Sequence, residues 1–329
     1  MRSAALVEER LLVPTYASRW RPLTVAAHRV LALPLQLSGP LRRRLIATEA
    51  REITVLEIGR AKVTEPLCAR LFGELPAPEV GSARSLRDPA DAAGDADLVV
   101  VEVHRWLAPR FRRAGWLVVP SQVRWEGDLA QLPPPGASHS LKDDLRKVRS
   151  QGFTLEHAAG AGAWEEFTTR MVAPQASARF GGAAWLPSPY LLRQFAELGQ
   201  LHFVVRRGER VGGFCSLRRG DTLWLPLSGV RDGDPGLFRA GVAVAAYALG
   251  FEWARAQGCT RVDVGRTSPF LKDGVQQYKR KWGLVAVPDP LAHLTAVRVG
   301  SDAACLAFAR QPVLAEGATG LRLYAGGGL

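Results

Sequence analysis

Short runs of β-branched and other apolar residues divide the first part of the chain into strand-like segments. EITVLEI at residues 52–58, ADLVVVEV at 96–103 and GWLVVPSQVRW at 115–125 each contain a run that predicts a strand, and helical or polar segments separate them. Residues 79–97 are rich in Ala, Gly, Asp and Pro and predict a loop. Strands that alternate with helical segments indicate an α/β domain.

Three consecutive prolines mark the end of this part of the chain. In GDLAQLPPPGASHS, at residues 127–140, the prolines remove amide donors and prevent a helix. We therefore predict a first domain over residues 1–135, a second domain over 136–300 and a carboxy-terminal tail over 301–329.

The second domain opens with apolar positions at helical spacing in SLKDDLRKVRSQG, residues 140–152. Ser140 is the predicted N-cap, Asp143 stands three residues later as in a capping box, and Gly152 predicts the end of the helix. The other face of this helix is either a solvated surface or a surface that contacts phosphates, and the sequence leaves both open. It carries Lys142, Arg146, Lys147 and Arg149.

Residues 201–229 predict an antiparallel meander, because RGER and RGD turns separate three runs of alternating apolar residues. Pro226 interrupts the third run, so that strand is either an edge strand or is bulged away from its neighbour. Residues 235–257 then predict one long helix, and TRVDVGR at 260–266 predicts a strand parallel to the one that contains Pro226. A bulged strand beside a parallel neighbour would leave a wedge-shaped cleft.

The charge balance favours an anionic partner. The chain has 43 Lys and Arg against 31 Asp and Glu, for a formal net charge of +12 and a pI of about 10.2. This charge suits a phosphorylated cofactor, tRNA or an acidic lipid surface. The abundance of Ala and Arg also fits a GC-rich coding sequence, so charge alone does not assign nucleic-acid binding.

Several classes of site and location lack the residues that they need. The four cysteines have no paired spacing for zinc or a redox couple, and no G-x-S-x-G or H-x-x-x-H motif is present, so no metal is expected. Residues 1–10 hold no apolar run with a cleavage site, so we expect a cytoplasmic protein. Residues 23–37 are the most lipid-like segment, yet they are shorter than the roughly 20 apolar residues of a membrane span. No transmembrane segment is expected, whereas peripheral contact with a membrane stays open.

Two motifs of the second domain resemble those of a known family. DVGR at residues 263–266, followed after a loop by YKRKWG at 278–283, resembles the signature of the FemABX-like proteins and of their acetyltransferase relatives in the GNAT superfamily. The basic helix, an ARFGG loop at residues 178–182 and the meander follow in the order of this family, so the resemblance covers about residues 139–284. It implies an α/β (α+β) fold of tandem GNAT-like domains, each a mixed, mostly antiparallel sheet flanked by helices.

The resemblance also implies an activity. Proteins of this kind are N-acyltransferases (EC 2.3) that move an acetyl or aminoacyl group from acyl-CoA or aminoacyl-tRNA to an amine, with no covalently bound cofactor. The expected acceptor is a small-molecule or lipid-linked amine of cell-envelope, polysaccharide or specialised-metabolite synthesis, and tRNA is a partner if it carries the donor. The alternative is a catalytically silent GNAT-like module whose basic faces bind an anionic lipid-linked or nucleic-acid partner.

Carried over to this chain, the family's lysine falls on Lys279 and its preceding aromatic residue on Tyr278. Attack of an amine on a thioester or ester builds negative charge on the carbonyl oxygen, and one well-aimed donor stabilises that charge by roughly 3 kcal/mol. Asp263 is a candidate to orient the amine or to act as its base, while an ion pair with Arg261 or Arg266 is the structural alternative.

Candidate binding residues come from the loop VRDGDPGLFRAG at residues 230–241, which stands where a GNAT domain holds the pyrophosphate of CoA on helix-terminal amides. Asp232 and Asp234 add negative charge to this loop and Pro235 removes an amide, which favours a tRNA-borne donor or a donor bound by the first domain. The cofactor-binding candidates are Arg231, Gly233, Gly236, Arg239 and Arg266. The substrate-binding candidates are Lys142, Arg146, Lys147, Arg179 and Trp282, the last of which core packing with Leu284 also explains.

Overall fold

The computed structural model describes residues 21–32, 38–49, 51–85, 95–180 and 186–326 of the chain. Residues 1–10, 33–37 and 181–182, on which parts of the sequence predictions fall, lie outside the described residues. A π-helical turn over Thr168–Val172 joins α5 to α6. The helices are α1 (Arg21–Ala32), α2 (Ala61–Phe72), α3 (Ala108–Arg113), α4 (His139–Gln151), α5 (Ala161–Phe167), α6 (Ala173–Phe180), α7 (Pro189–Leu198), α8 (Pro235–Ala240), α9 (Val242–Ala256), α10 (Gly274–Lys281) and α11 (Asp302–Arg310).

The strands lie in two large sheets and one short hairpin. They are β1 (Ser38–Ala47), β2 (Glu52–Ile58), β3 (Glu79–Ser85), β4 (Leu98–Val103), β5 (Leu117–Pro120), β6 (Val123–Asp128), β7 (Thr154–Ala158), β8 (Gln200–Arg206), β9 (Glu209–Arg219), β10 (Thr222–Val230), β11 (Arg261–Thr267), β12 (Val285–Pro288), β13 (Leu294–Val299), β14 (Val313–Glu316) and β15 (Leu321–Tyr324). Strand β3 corrects the loop predicted for residues 79–97: its backbone pairs with β1, a long-range partner that local composition does not reveal.

The chain divides into two compact units, the first of which contains Trp125–Gly265 and Tyr278–Val285. Its sheet has the strand order β12-β6-β11-β10-β9-β8-β7. Strands β8, β9 and β10 form antiparallel pairs in succession, which is the predicted meander.

Pro226 disturbs the centre of this sheet, as its missing amide donor predicts. The register between β10 and β9 shifts between Trp224 and Leu227. On the other side of β10, the parallel pairing with β11 joins residues 222–224 to 261–263 and extends no further. The two strands therefore separate directly after Trp224 and Asp263.

Two helix boundaries differ from those that the sequence predicts. Helix α4 has Ser138 as its N-cap, with the hydroxyl accepting a hydrogen bond from the Leu141 amide, so the predicted cap at Ser140 is wrong by two residues. Gly152 ends α4 in the left-handed conformation, as predicted. The single helix predicted over 235–257 is also wrong, because Gly241 adopts φ 96° and divides it into α8 and α9.

The second unit contains Val25–Arg124, Arg266–Gln277 and Ala286–Leu329. Its sheet has the order β3-β1-β2-β4-β13-β5, in which β2 and β4 are parallel and the other pairs are antiparallel. Carboxy-terminal residues such as Phe308 and Val313 lie in the same apolar core as Val55 and Leu98. Both units interleave along the chain, and the contiguous domains 1–135, 136–300 and 301–329 stay a prediction.

The predicted fold class is confirmed: the protein is α/β (α+β), with two mixed, mostly antiparallel sheets flanked by helices. Among the described helices, none combines the length and the apolar content that crossing a bilayer requires.

A buried histidine, His202 on β8, lies in the interior of the first unit. Its Nδ1 lies 2.8 Å from Nδ1 of His157, and its Nε2 lies 2.7 Å from the hydroxyl oxygen of Ser216. The ring stacks on Phe214 and contacts Trp253, at centroid distances of 4.7 and 4.5 Å. Burial, and to a smaller extent the charge of His157, lowers the pKa of His202 to about 3, so its imidazole is neutral in the folded protein.

We predict that His202 makes folding sensitive to mild acid. Because its pKa is lowered from 6.5 to about 3, the unfolded chain takes up a proton in this pH interval that the folded protein does not. The free energy of unfolding should therefore fall as the pH falls below 6.5, by up to about 1.4 kcal/mol per pH unit. Urea unfolding at a series of pH values should show this slope, and His202→Gln should reduce it. His139→Gln, at a side chain that is 91% exposed, is the control and should keep the wild-type slope. Equal slopes in wild type and His202→Gln would contradict the prediction.

Candidate functional site

Polar side chains of three elements gather where the pairing of β10 and β11 ends. Asp263 stands on β11 at the last paired position, Lys279 and Tyr278 stand on α10, and Tyr247 stands on α9. The structure thus brings together the three residues that the sequence singles out as catalytic candidates and adds Tyr247, which the sequence analysis missed.

Lys279 is buried beneath the end of the strand. Its side chain is only 3% exposed, and its Nζ donates a hydrogen bond of 2.8 Å to the carbonyl oxygen of Val264. That carbonyl directly follows the last residue of β11 that pairs with β10, so the ladder no longer uses it on that side. The lysine therefore fixes a positive charge at the point where the two strands separate.

Local sequence explains why α10 delivers Lys279 to this place. Asp273 Oδ1 accepts hydrogen bonds from the amides of Val275 and Gln276, at 2.9 and 3.1 Å, which caps the start of the helix. Gly283 adopts φ 83° and ends the turn after α10. Between these two signals the helix has room for only two turns, so Lys279 occupies its last turn.

Asp263 is buried, with an exposed fraction of 4%. Its Oδ1 accepts a hydrogen bond of 2.9 Å from the Gly265 amide, which holds the carboxylate against its own strand. Arg261 and Arg266, the alternative partners considered for it, form ion pairs with Glu126 and Asp289.

The two tyrosines are neutral hydroxyl groups at physiological pH. Burial, followed by the charge of Tyr247, raises the pKa of Tyr278 well above its usual value, and the Tyr278 hydroxyl donates to the Ala243 carbonyl at 3.1 Å. Burial also raises the pKa of Tyr247, with a further contribution from the charge of Asp263. A neutral phenol retains a proton that it can donate. The signal for Tyr247 was its hydroxyl in the otherwise apolar run AVAAYALGF of α9.

Trp282 lies in the core beside this cluster. It is 1% exposed, and its ring packs against Tyr247, Phe251 and Tyr278 at centroid distances of 5.6, 5.4 and 6.4 Å. This packing fixes the position of the helix end that carries Lys279.

Lys281, only two residues after Lys279, has a different role. Its Nζ lies 2.6 Å from Asp144 Oδ2 and 2.7 Å from the Ser140 hydroxyl oxygen. These hydrogen bonds attach α10 to the first turn of α4. The two lysines are therefore a matched pair for comparison, one beneath a strand and one in a helix-to-helix ion pair.

The loop between β10 and α8 satisfies its charges internally. Asp234 Oδ1 accepts from the Gly236 amide at 2.6 Å, and Asp232 pairs with Arg170 at 2.8 Å. Arg231 donates to Glu166 and to the carbonyl of Arg210. Among the cofactor-binding candidates of this loop, only Arg239 is exposed without a partner in the described part of the chain.

Gly233, another candidate of this loop, adopts φ 63°, and a Cβ atom there would lie 3.1 Å from the carbonyl oxygen of Pro174. Arg266 belongs to the second unit, where its Nε lies 2.8 Å from Asp289 Oδ2. The five cofactor-binding candidates therefore do not form one phosphate cradle in this structure.

The substrate-binding candidates on α4 differ in their freedom. Lys142 and Lys147 are exposed and have no ion pair or hydrogen bond within the described residues. Arg146 pairs with Asp143 at 2.8 Å along the same helix. Arg179, near the end of α6, is exposed but not without a partner. Two unpaired cations thus stand on the surface of α4.

Comparison with known proteins supports a family for part of the chain. Residues 137–280, somewhat less than half of the chain, match the family model described as an acetyltransferase (GNAT) domain. No curated protein matches the chain.

Solved structures of low sequence identity are similar to the chain. L-PGS from Bacillus licheniformis is 13% identical, with 79% of this chain and 85% of that chain covered and a TM-score of 0.43. FemX is 10% identical, with 78% and 87% covered and a TM-score of 0.42. A GCN5-related N-acetyltransferase from Sphaerobacter thermophilus is 17% identical, with 61% and 57% covered and a TM-score of 0.33. Because all three TM-scores are below 0.5, the family assignment rests on the sequence match.

That match includes DVGR and the first residues of YKRKWG, together with the basic helix and the meander that precede them, and it confirms the resemblance on which the sequence analysis relied. Residues 137–280 of this chain form a GNAT acetyltransferase domain.

Proposed function

We propose that the protein is an N-acyltransferase that moves an acetyl or aminoacyl group from acyl-CoA or aminoacyl-tRNA to an amine, with its reaction centre where β10 and β11 separate. The observation that carries this proposal is the cluster of Lys279, Asp263, Tyr278 and Tyr247 at the last paired position of the two strands. The GNAT domain match of residues 137–280 supports the reaction class.

The chemistry assigns a role to each group. The amine nitrogen forms a bond to the donor's carbonyl carbon, and the carbon–sulfur or carbon–oxygen bond of the donor then breaks. Lys279 provides a fixed positive charge for the oxygen that becomes negative in between. Asp263 orients the amine or takes its proton, and the neutral Tyr278 hydroxyl gives a proton to the departing thiolate or alkoxide.

The loop between β10 and α8 favours a donor that does not rest its pyrophosphate there. Asp234 already accepts from the Gly236 amide, and Asp232 keeps a second carboxylate nearby. A pyrophosphate at this loop would meet like charge and would find that amide already occupied. Lys142, Lys147 and Arg239 are exposed and unpaired among the described residues, and they suit the phosphates of an aminoacyl-tRNA. The acceptor is then a small-molecule or lipid-linked amine.

One observation favours the second candidate function, a silent module that binds an anionic partner. Lys279 is 3% exposed and its ammonium already donates to the Val264 carbonyl, which is also what a purely structural lysine would do. Both candidates place charge on the surface of α4, but only the transferase requires Lys279 for turnover.

Replacement of Lys279 by Met should lower the rate of transfer by about a hundredfold or more, since this is the typical loss for one oxyanion donor. The donor is first identified by screening acyl-CoAs and charged tRNAs for transfer to an amine. Lys281→Met is the matched control and should retain most of the activity, because Lys281 pairs with Asp144 and lies outside the cluster. Circular dichroism and urea unfolding check that both variants fold. Equal activity of wild type and Lys279→Met would favour the binding module.

Charge reversal on α4 should weaken binding of a tRNA-borne donor. For every phosphate that Lys142→Glu or Lys147→Glu no longer neutralises, the slope of log K against log salt should become shallower by roughly 0.7 to 0.9. Arg193→Glu, an exposed cation on α7, is the control and should leave the slope unchanged. Filter binding at several salt concentrations measures the slope. If the double α4 variant bound with the wild-type slope, the α4 face would be a solvated surface.

A further inference from the structure

A pocket of about 150 Å³ opens between α4 and α9 in the first unit. Leu145 and Arg149 of α4 form one side, and Ala248 and Glu252 of α9 form the other, with Trp282 also in the wall. None of Asp263, Tyr278 and Lys279 lines it, so this pocket is separate from the proposed reaction centre.

The body of the pocket is apolar. Its lining includes Leu132, Pro133, Leu145, Phe251 and Trp282, while the small side chain of Ala248 leaves the space between them open. A cavity of about this volume with apolar walls accommodates a group the size of benzene. A branched aliphatic or aromatic side chain therefore fits the space.

The loop that forms one rim is fixed in place. Arg255 of α9 donates through Nε and NH2 to the Leu129 carbonyl oxygen, at 3.0 and 2.7 Å, and it also donates to the Leu132 carbonyl. Because Arg255 is occupied by these carbonyls, it holds the rim rather than a ligand. The pocket is thus largely preformed, as ligand sites usually are.

Two opposite charges without partners flank the pocket. Arg149 and Glu252 are both exposed, and neither forms an ion pair or hydrogen bond within the described part of the chain. A ligand with only a carboxylate would suit Arg149 and would be repelled by Glu252, and a ligand with only an ammonium would meet the reverse situation. A ligand that carries both groups can pair with each of them.

We propose that this pocket binds a small zwitterion with an apolar side chain, namely a free α-amino acid of the leucine or phenylalanine type. Its side chain occupies the apolar space beside Ala248, its carboxylate pairs with Arg149, and its ammonium pairs with Glu252. The proposal does not depend on the transferase activity, since it rests on residues outside the cluster around Lys279.

Isothermal titration calorimetry of the full chain with leucine and with phenylalanine tests the proposal. We expect saturable binding with a Kd on the order of 1 mM or tighter. Three compounds each lack one feature of leucine: 3-methylbutylamine lacks the carboxylate, 4-methylpentanoate lacks the ammonium, and glycine lacks the apolar side chain. Each should bind about tenfold more weakly than leucine or not detectably.

Variants of the pocket provide the second test. Ala248→Leu fills the apolar space and should abolish binding, while Arg149→Gln and Glu252→Gln should each weaken it about tenfold. Arg193→Gln, an exposed charge on α7 that does not line the pocket, should bind as the wild type does. The Arg149 and Glu252 variants alter exposed side chains, so they keep the test valid if Ala248→Leu does not fold.

Absence of binding by both amino acids would overturn the proposal. It would also be overturned if 3-methylbutylamine or 4-methylpentanoate bound as tightly as leucine, or if folded Ala248→Leu bound as the wild type does. Loss of transfer in Lys279→Met bears on the proposed function alone, so failure of one proposal is distinguishable from failure of the other.

Discussion

The hydrogen bond from the Lys279 ammonium to the Val264 carbonyl is the interaction on which the polar interior of the first unit depends. Burial of an ammonium costs several kcal/mol unless oxygen atoms replace the water that it loses. The Val264 carbonyl is available for this purpose because the pairing of β11 with β10 ends one residue earlier. Pro226 accompanies that end, since a strand that contains proline cannot complete the ladder. A defect in the sheet and a buried cation are therefore two parts of one arrangement.

Aromatic packing and a second lysine hold this arrangement in place. Trp282 packs against Tyr247 and Phe251 of α9, so the end of α10 has a fixed distance from that helix. Lys281 extends in another direction and forms an ion pair with Asp144 of α4. Neighbouring lysines in one short helix thus attach it to a strand and to a helix, which explains why substitution of the two should have different consequences.

Carboxylates shape the electrostatics of the first unit as much as cations do. The chain carries a formal net charge of +12, yet the loop between β10 and α8 uses Asp234 to satisfy the Gly236 amide. An internal carboxylate on a helix-terminal amide occupies the position that an external phosphate would need. Positive charge without partners is found instead on α4, at Lys142 and Lys147. The net charge predicts an anionic partner, but its placement decides where such a partner can bind.

The sequence by itself determined the elements whose signals are local. The runs at residues 52–58 and in the meander predicted their strands, Gly152 predicted the end of α4, and Pro226 predicted the place where β10 leaves its neighbour. The spacing of Tyr278, Lys279 and Trp282 carried the family resemblance.

Only the tertiary structure decided features that depend on residues distant in the chain. It paired Asp234 with a nearby amide and Arg266 with Asp289, brought Tyr247 toward Asp263, and made β3 a strand through its pairing with β1. Gly241 divided a helix that the apolar spacing made continuous. Periodicity and capping extend over about one helical turn, so they predict where an element begins and ends. Hydrogen bonds, ion pairs and burial join residues from separate segments, and only the folded chain brings those residues together.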